Sequence, residues 1–90
     1  MFQYQAVQTG QVSVTGTATQ IVGQYSSRSG IVITNLGTTD VYIGENAGVT
    51  TSTGHLLPGT KGASLSFSTT GAIYGITGGS SQTVSWLATN

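Results

Sequence analysis

Hydrophobic and polar residues alternate with a period of two along most of this chain, which is the pattern of half-buried β-strands. The clearest run is Gly30–Asn35, where Ile31 and Ile33 fall on one face of the predicted strand. Comparable runs cover residues 11–15, 19–24, 39–44, 64–68, 72–77 and 83–88. The pattern therefore predicts about seven strands and an all-β fold.

Short segments rich in glycine separate these runs. We expect a tight hairpin over residues 35–38, in which Gly37 is free to take positive φ, and a second hairpin tip at Gly71. Residues 78–81 link the last two strands, and a long loop covers residues 44–59. Loops of this length in small domains are usually functional, so this one is a candidate site.

Together the strands and turns predict one domain over residues 1–90, a small antiparallel β-sandwich or jelly-roll-like barrel. Residues 1–10 form an N-terminal arm or an edge strand in this interpretation. Trp86 shares a strand face with Val84 and Ala88, which is typical of a core anchor. Leu56 and Leu57 are expected to attach the far end of the long loop to the sheet.

The composition is poor in charge and rich in small hydroxyl residues. Gly, Ser and Thr supply 41 of the 90 positions, while Val, Ile, Leu and Phe supply 21, above the ~20% floor for ordered domains. Charged residues make up only 4% of the chain, against about 25% in a typical domain. So little charge favours a subunit whose surface is mostly covered in an assembly. The alternative is that the hydroxyls suffice for solubility.

Several classes of function are disfavoured by what the chain lacks. It has no cysteine, so disulfides and thiolate metal sites are impossible. Two basic residues are too few for the phosphate contacts of a nucleic-acid-binding protein. No run approaches the ~18 apolar residues of a membrane span, and the first ten residues lack the pattern of a signal peptide. We expect neither a nucleic-acid nor a membrane partner.

The residues that could support catalysis or metal binding are few. A triad of a serine with His55 and Asp40 or Glu45 is possible on paper, but no serine lies in a nucleophile motif. Hydrolysis by paired carboxylates would need Asp40 and Glu45 close together. A calcium site built from Asp40, Glu45, Asn46 and loop carbonyls is conceivable, although no dense acidic loop is present. We expect a non-enzymatic protein without metal or cofactor.

The remaining notable side chains favour contact with other proteins. Phe2 and Tyr4 occupy alternate positions of the predicted arm, which favours exchange of the arm with a neighbouring subunit. Arg28 is either a solvated charge or the partner of an acid in the same or a neighbouring chain. The predicted interface residues are Phe2, Tyr4, Arg28, Tyr42, Glu45, Asn46, Thr50, Thr51, Thr53 and His55.

An ordered series of short motifs begins at Arg28: a strand, an Asn and Gly turn, "VYIG", "VTTSTG", a Leu and Gly turn, another strand, "IYGI" and a closing strand. The series resembles a group of small tailed-bacteriophage virion proteins over about two-thirds of the chain. That pattern often closes with an acidic residue, whereas "SWLATN" ends neutral. The matching positions are Arg28, Asn35, Gly37, Val41 to Gly44, Val49 to Gly54, Leu57, Gly59, Leu65, and Ile73 to Ile76.

The resemblance implies a β-sandwich structural protein located in the virion. The leading hypothesis is a capsid decoration, or cement, protein that stabilises the shell by bridging copies of the major capsid protein. A homo-oligomer is expected, and a trimer would suit the three-fold positions of an icosahedral shell. The alternative hypothesis is a tail or head fibre module that binds host-surface glycan through exposed aromatic, Asn and Gln side chains.

Overall fold

The computed structural model describes residues 7–89, and this part of the chain contains eight β-strands and no helix. The all-β prediction is confirmed. The strands are β1 (Val7–Val14), β2 (Thr19–Val22), β3 (Gly30–Asn35), β4 (Val41–Gly44), β5 (His55–Leu57), β6 (Ser64–Phe67), β7 (Ile73–Ile76) and β8 (Gln82–Thr89). The sequence pattern predicts about seven because it assigns the residues of β5 to a loop.

The strands form two antiparallel four-stranded sheets. The β1 sheet has the order β1-β8-β3-β6, and the β2 sheet has the order β2-β7-β4-β5. The pairs β1–β8, β2–β7, β3–β6 and β4–β5 are nested along the chain. This nesting is that of one long two-stranded ribbon folded over into two sheets, which is the jelly-roll arrangement. The predicted small sandwich of this type is confirmed.

Most connections cross from one sheet to the other. Residues 35–38 join β3 to β4, and Gly71 lies between β6 and β7, with the two strands of each pair in different sheets. The two predicted hairpins are therefore wrong. Turn residues mark a reversal of the chain, but they do not reveal whether the next strand returns in the same sheet or the facing one. Among the described strands, only β4 and β5 are both consecutive and paired.

The connection from β3 to β4 is ordered by two buried amides. Asn35 Nδ2 donates to Thr39 O at 2.8 Å and to Pro58 O at 3.0 Å, while its Oδ1 accepts from Gly37 N at 2.9 Å. Gln82 Oε1 accepts from Thr39 N at 2.9 Å. Gly37 does not use the freedom of glycine to take a positive φ. A Cβ at this position would lie 1.9 Å from Gln82 Nε2, so a larger residue would have to displace the Gln82 amide.

The core lies between the inward faces of the two sheets. Ile31 and Ile33 are buried together, as their predicted common face requires. Trp86 packs against this core while remaining half-buried, and its indole lies over Gly10, where a Cβ would be 2.7 Å from Nε1. The buried apolar cluster consists of Val14, Ile21, Val22, Ile31, Ile33, Val41, Ile43, Leu57, Ile73, Val84 and Ala88.

Candidate interaction surface

Most of the predicted interface residues gather on the β4–β5 hairpin. Its connecting segment, residues 45–54, is called the β4–β5 loop below. The predicted loop over 44–59 is too long, because backbone pairing with β4 resumes at His55. The predicted interface residues on this hairpin are Tyr42, Glu45, Asn46, Thr50, Thr51, Thr53 and His55.

The two leucines at the end of the hairpin face opposite ways. Leu57 is 1% exposed and belongs to the core, so it attaches the hairpin to the sandwich as predicted. Leu56 is 45% exposed, so its predicted anchoring role is wrong. In a strand successive side chains point to opposite faces, and two adjacent leucines cannot both enter the core.

The first half of the β4–β5 loop is a turn held by a buried side chain. Asn46 Oδ1 accepts from Gly48 N at 2.8 Å, and Asn46 O accepts from Val49 N at 3.2 Å. Val49 is buried and lies against Gly44, where a Cβ would be 2.5 Å from Val49 Cγ2. The loop is thus fixed to the sheet by apolar contact as well as by its turn.

The second half of the loop is ordered by two threonine hydroxyls. Thr50 Oγ1 accepts from Ser52 N at 3.2 Å and from Thr53 N at 3.1 Å. In return, Thr53 Oγ1 accepts from Thr50 N at 3.0 Å, and the two hydroxyls lie 3.0 Å apart. Hydroxyls that the sequence assigned to a partner are therefore used to fold the loop. Thr51 is exposed at its tip and lines a shallow groove with Tyr42.

Beside the loop, the outer side of the β2 sheet carries a group of apolar and aromatic side chains. Tyr42 lies between Ile76 on β7 and Leu56 on β5 as direct cross-strand neighbours. Tyr74 lies on the same side, where its hydroxyl donates to Gln20 Oε1 at 3.1 Å. We call Tyr42, Leu56, Tyr74 and Ile76 the tyrosine face.

Tyr42 was among the predicted interface residues, but the sequence did not reveal the rest of this face. The strand "IYGI" has apolar residues on both faces, so its sequence pattern does not show which face is buried. Gly75 identifies the inward face, because its missing side chain leaves room for the core. A Cβ there would lie 2.9 Å from Ile21 Cδ1. Ile73 and Gly75 point inward, and Tyr74 and Ile76 therefore point outward.

The acidic residues and the histidine are dispersed. Asp40 Oδ1 accepts from Gly59 N at 2.7 Å and closes the base of the hairpin. Glu45 lies at the opposite end of β4, and His55 is exposed on β5 without a hydrogen bond to either acid among the described residues. Within residues 7–89 no group of three or more His, Cys, Asp or Glu side chains could hold a metal ion.

Arg28 lies inside the protein rather than at the predicted contact surface. Its side chain is 5% exposed, and its guanidinium donates to backbone carbonyls in two separate connections. Nη1 donates to Gly23 O at 3.0 Å, Nε donates to Thr69 O at 2.8 Å, and Nη2 donates to Gly71 O. The expected solvated charge or acid partner is replaced by a link between the β2–β3 and β6–β7 connections.

Phe2 and Tyr4, together with the predicted arm exchange, lie outside the described residues. The described start of the predicted arm or edge strand, residues 7–10, belongs to β1 at the edge of its sheet.

A second surface without charged side chains lies on the outer side of the β1 sheet. Leu87 is 40% exposed at its centre, next to Val32 on β3 and Thr9 on β1. Serines and threonines surround these residues, and shallow grooves lie on either side of the Val32–Leu87 pair. Sequence reasoning did not single out this face, because a lone apolar residue between polar neighbours is common at protein surfaces.

Comparison of the chain with protein-family models, curated proteins and solved structures gave no match. Within the described residues, no helix is long and apolar enough to cross a membrane.

Proposed function

We propose that this chain is a non-enzymatic structural protein of a bacteriophage particle, a capsid decoration protein that stabilises the shell by bridging copies of the major capsid protein. The observation that carries the proposal is the tyrosine face together with the ordered β4–β5 loop. Tyr42, Leu56, Tyr74 and Ile76 form a contiguous apolar and aromatic surface on one sheet.

The chemistry of this surface suits contact with another protein. The buried centre of a protein interface is more apolar than the surrounding surface, and tyrosine is enriched there while lysine and glutamate are depleted. Tyr42 and Tyr74 are already half-buried in the sheet, so a partner covers them with little loss of side-chain freedom. Many copies of such a modest contact on one shell would add up to a large stabilising effect.

The resemblance to tailed-bacteriophage virion proteins supplies the particle and the location in this proposal. Six of the matching positions, Val49 to Gly54, form most of the β4–β5 loop beside the tyrosine face. The jelly roll itself occurs in viral capsid proteins and in lectins, so the fold alone does not choose between those functions.

The test is an add-back experiment with particles that lack this protein. Wild-type chain, Leu56→Asp and Thr83→Asp are each mixed with such particles, and bound chain and resistance to heat are measured. Leu56 and Thr83 are both exposed, but Thr83 lies on the other sheet. We expect Leu56→Asp to lose binding by about tenfold or more, since a charge is desolvated in an apolar contact. Equal binding by the two variants, or no gain in heat resistance with wild-type chain, would contradict the proposal.

A fibre module that binds host-surface glycan is the second candidate, and the Tyr74–Gln20 pair favours it. An aromatic ring beside an amide that is already oriented by a hydrogen bond is a suitable platform for a sugar ring. This function predicts that Tyr42→Ala and Tyr74→Ala abolish adsorption to the host while particles remain intact. Failure of the assembled protein to bind any glycan on an array would count heavily against it.

A further inference from the structure

The β1 strand is an unusually open sheet edge. It has eight residues, contains no proline or charged side chain, and pairs with β8 in one continuous register. The other three edges are blunted: β6 has four residues, β5 has three, and β2 is interrupted by a register shift between Gln20 and Val22. Long, regular, uncharged edges readily pair with further strands, and proteins normally protect them.

The hydrogen-bond pattern identifies the backbone groups on the open side of β1. Leu36 N donates to Thr83 O at 3.1 Å, so the backbone N–H and C=O groups of odd-numbered residues of β8 point toward β3. The backbone N–H and C=O groups of even-numbered residues of β8 therefore point toward β1. These residues pair with even-numbered residues of β1, such as Val12 with Val84. Alternate residues of an antiparallel strand bond to opposite neighbours. The N–H and C=O groups of Thr9, Gln11 and Ser13 consequently point away from the sheet.

We infer that this edge pairs with the β1 strand of a second copy of the chain, antiparallel and about a two-fold axis beside Gln11. The pairing joins the two β1 sheets into one continuous sheet of eight strands. It predicts a two-fold pair in place of the three-fold assembly expected from icosahedral shells. The inference does not depend on the proposed function.

The edge is complementary to itself in this register. Gln11 faces Gln11 of the second copy, and an amide both donates and accepts a hydrogen bond. Thr9 faces Ser13 of the second copy on the same outer side, so hydroxyls meet hydroxyls. On the inner side Gly10, which lies under the Trp86 indole, faces Val12. No charged residue opposes its own copy, so the repulsion that usually protects an edge is missing.

A single-cysteine experiment tests both the partner and the register, since the chain has no cysteine of its own. In a hydrogen-bonded antiparallel pair the Cα atoms lie about 5.5 Å apart, within reach of a disulfide. We expect Gln11→Cys to form covalent dimers under mild oxidation about tenfold faster than Ser66→Cys, because paired cysteines react at high effective concentration. Ser66 is the matched control, an exposed residue with outward backbone groups on the opposite edge of the same sheet.

Sedimentation of the full chain gives an independent test. We expect a dimer for wild-type protein, a monomer for Gln11→Pro, and a dimer for Ser66→Pro. Each proline removes one outward N–H and no bond within the sheet. If the proline variant does not fold, Gln11→Lys replaces it and should also be a monomer, because the two added charges would face each other. Its control, Thr83→Lys, should remain a dimer. A wild-type monomer, a trimer, or cross-linking of Ser66→Cys in preference to Gln11→Cys would each overturn the inference.

Discussion

Single side chains in this protein link segments that are far apart in the chain. Arg28 is the clearest case, since one guanidinium donates to the carbonyls of Gly23, Thr69 and Gly71. Arg28 is conspicuous in the sequence because charged residues are rare, but this does not show what its side chain contacts. Whether a lone arginine faces solvent, an acid or the backbone depends on where two distant connections meet, and the local pattern does not contain that information.

Replacing Arg28 with lysine should lower the free energy of unfolding by about 2–4 kcal/mol, because an ammonium cannot reach three carbonyls that a planar guanidinium spans. Denaturant titration followed by circular dichroism measures the change. Lys61→Met is the control, since Lys61 is exposed and its loss should change stability by less than ~0.5 kcal/mol. Equal effects of the two substitutions would show that the carbonyl contacts contribute nothing.

Gly37 offers a second test at this scale, because its role is steric. Gly37→Ala should cost roughly 1–3 kcal/mol by displacing the Gln82 amide that accepts from Thr39 N. In a Gln82→Ala background the same substitution should cost much less, and a double-mutant cycle of unfolding free energies measures the difference. The same cost in both backgrounds would instead point to backbone strain at Gly37.

At the scale of elements, sequence patterning worked wherever a strand had one apolar face. The pairs Ile31 with Ile33 and Val41 with Ile43 are buried as predicted. It missed the strand β5, because "HLL" is too short to show alternation, and it predicted the strand β7 without showing which face is buried, because apolar residues occupy both faces. The sequence pattern also did not predict the sheet to which each strand belongs, because strand pairing joins residues that are far apart in the chain. The pairing of β1 with β8, for example, joins opposite ends of the described chain.

The β4–β5 loop should lose its order when its buried side chain is shortened. Val49→Ala removes apolar volume against Gly44 and should cost about 1.5 kcal/mol of local stability. Hydrogen exchange at the amides of Thr53 and Gly54, which donate to Thr50 O, should become about tenfold faster. Thr51→Ala is the control, since Thr51 is exposed at the loop tip. Unchanged exchange in Val49→Ala would mean that the threonine hydrogen bonds alone order the loop.

The whole molecule is a jelly roll that presents a tyrosine face, an uncharged hydroxyl-rich face and one open strand edge. The sequence predicted the fold class and placed most of the candidate site on one hairpin. It could not show that the site extends onto β7 or that β1 lies at an edge, since both depend on the order of strands in the sheets. The low number of charged residues is reflected in the β1 sheet, whose four strands carry no charged side chain.

Whether the chain is a capsid decoration protein is tested by electron microscopy reconstruction of purified particles with and without it, combined with its copy number by quantitative mass spectrometry. A capsid decoration protein predicts density on the outer surface of the shell that disappears when the gene is deleted, and a copy number on the scale of the major capsid protein. Unchanged capsid density after deletion, or a copy number of only a few per particle, would contradict it.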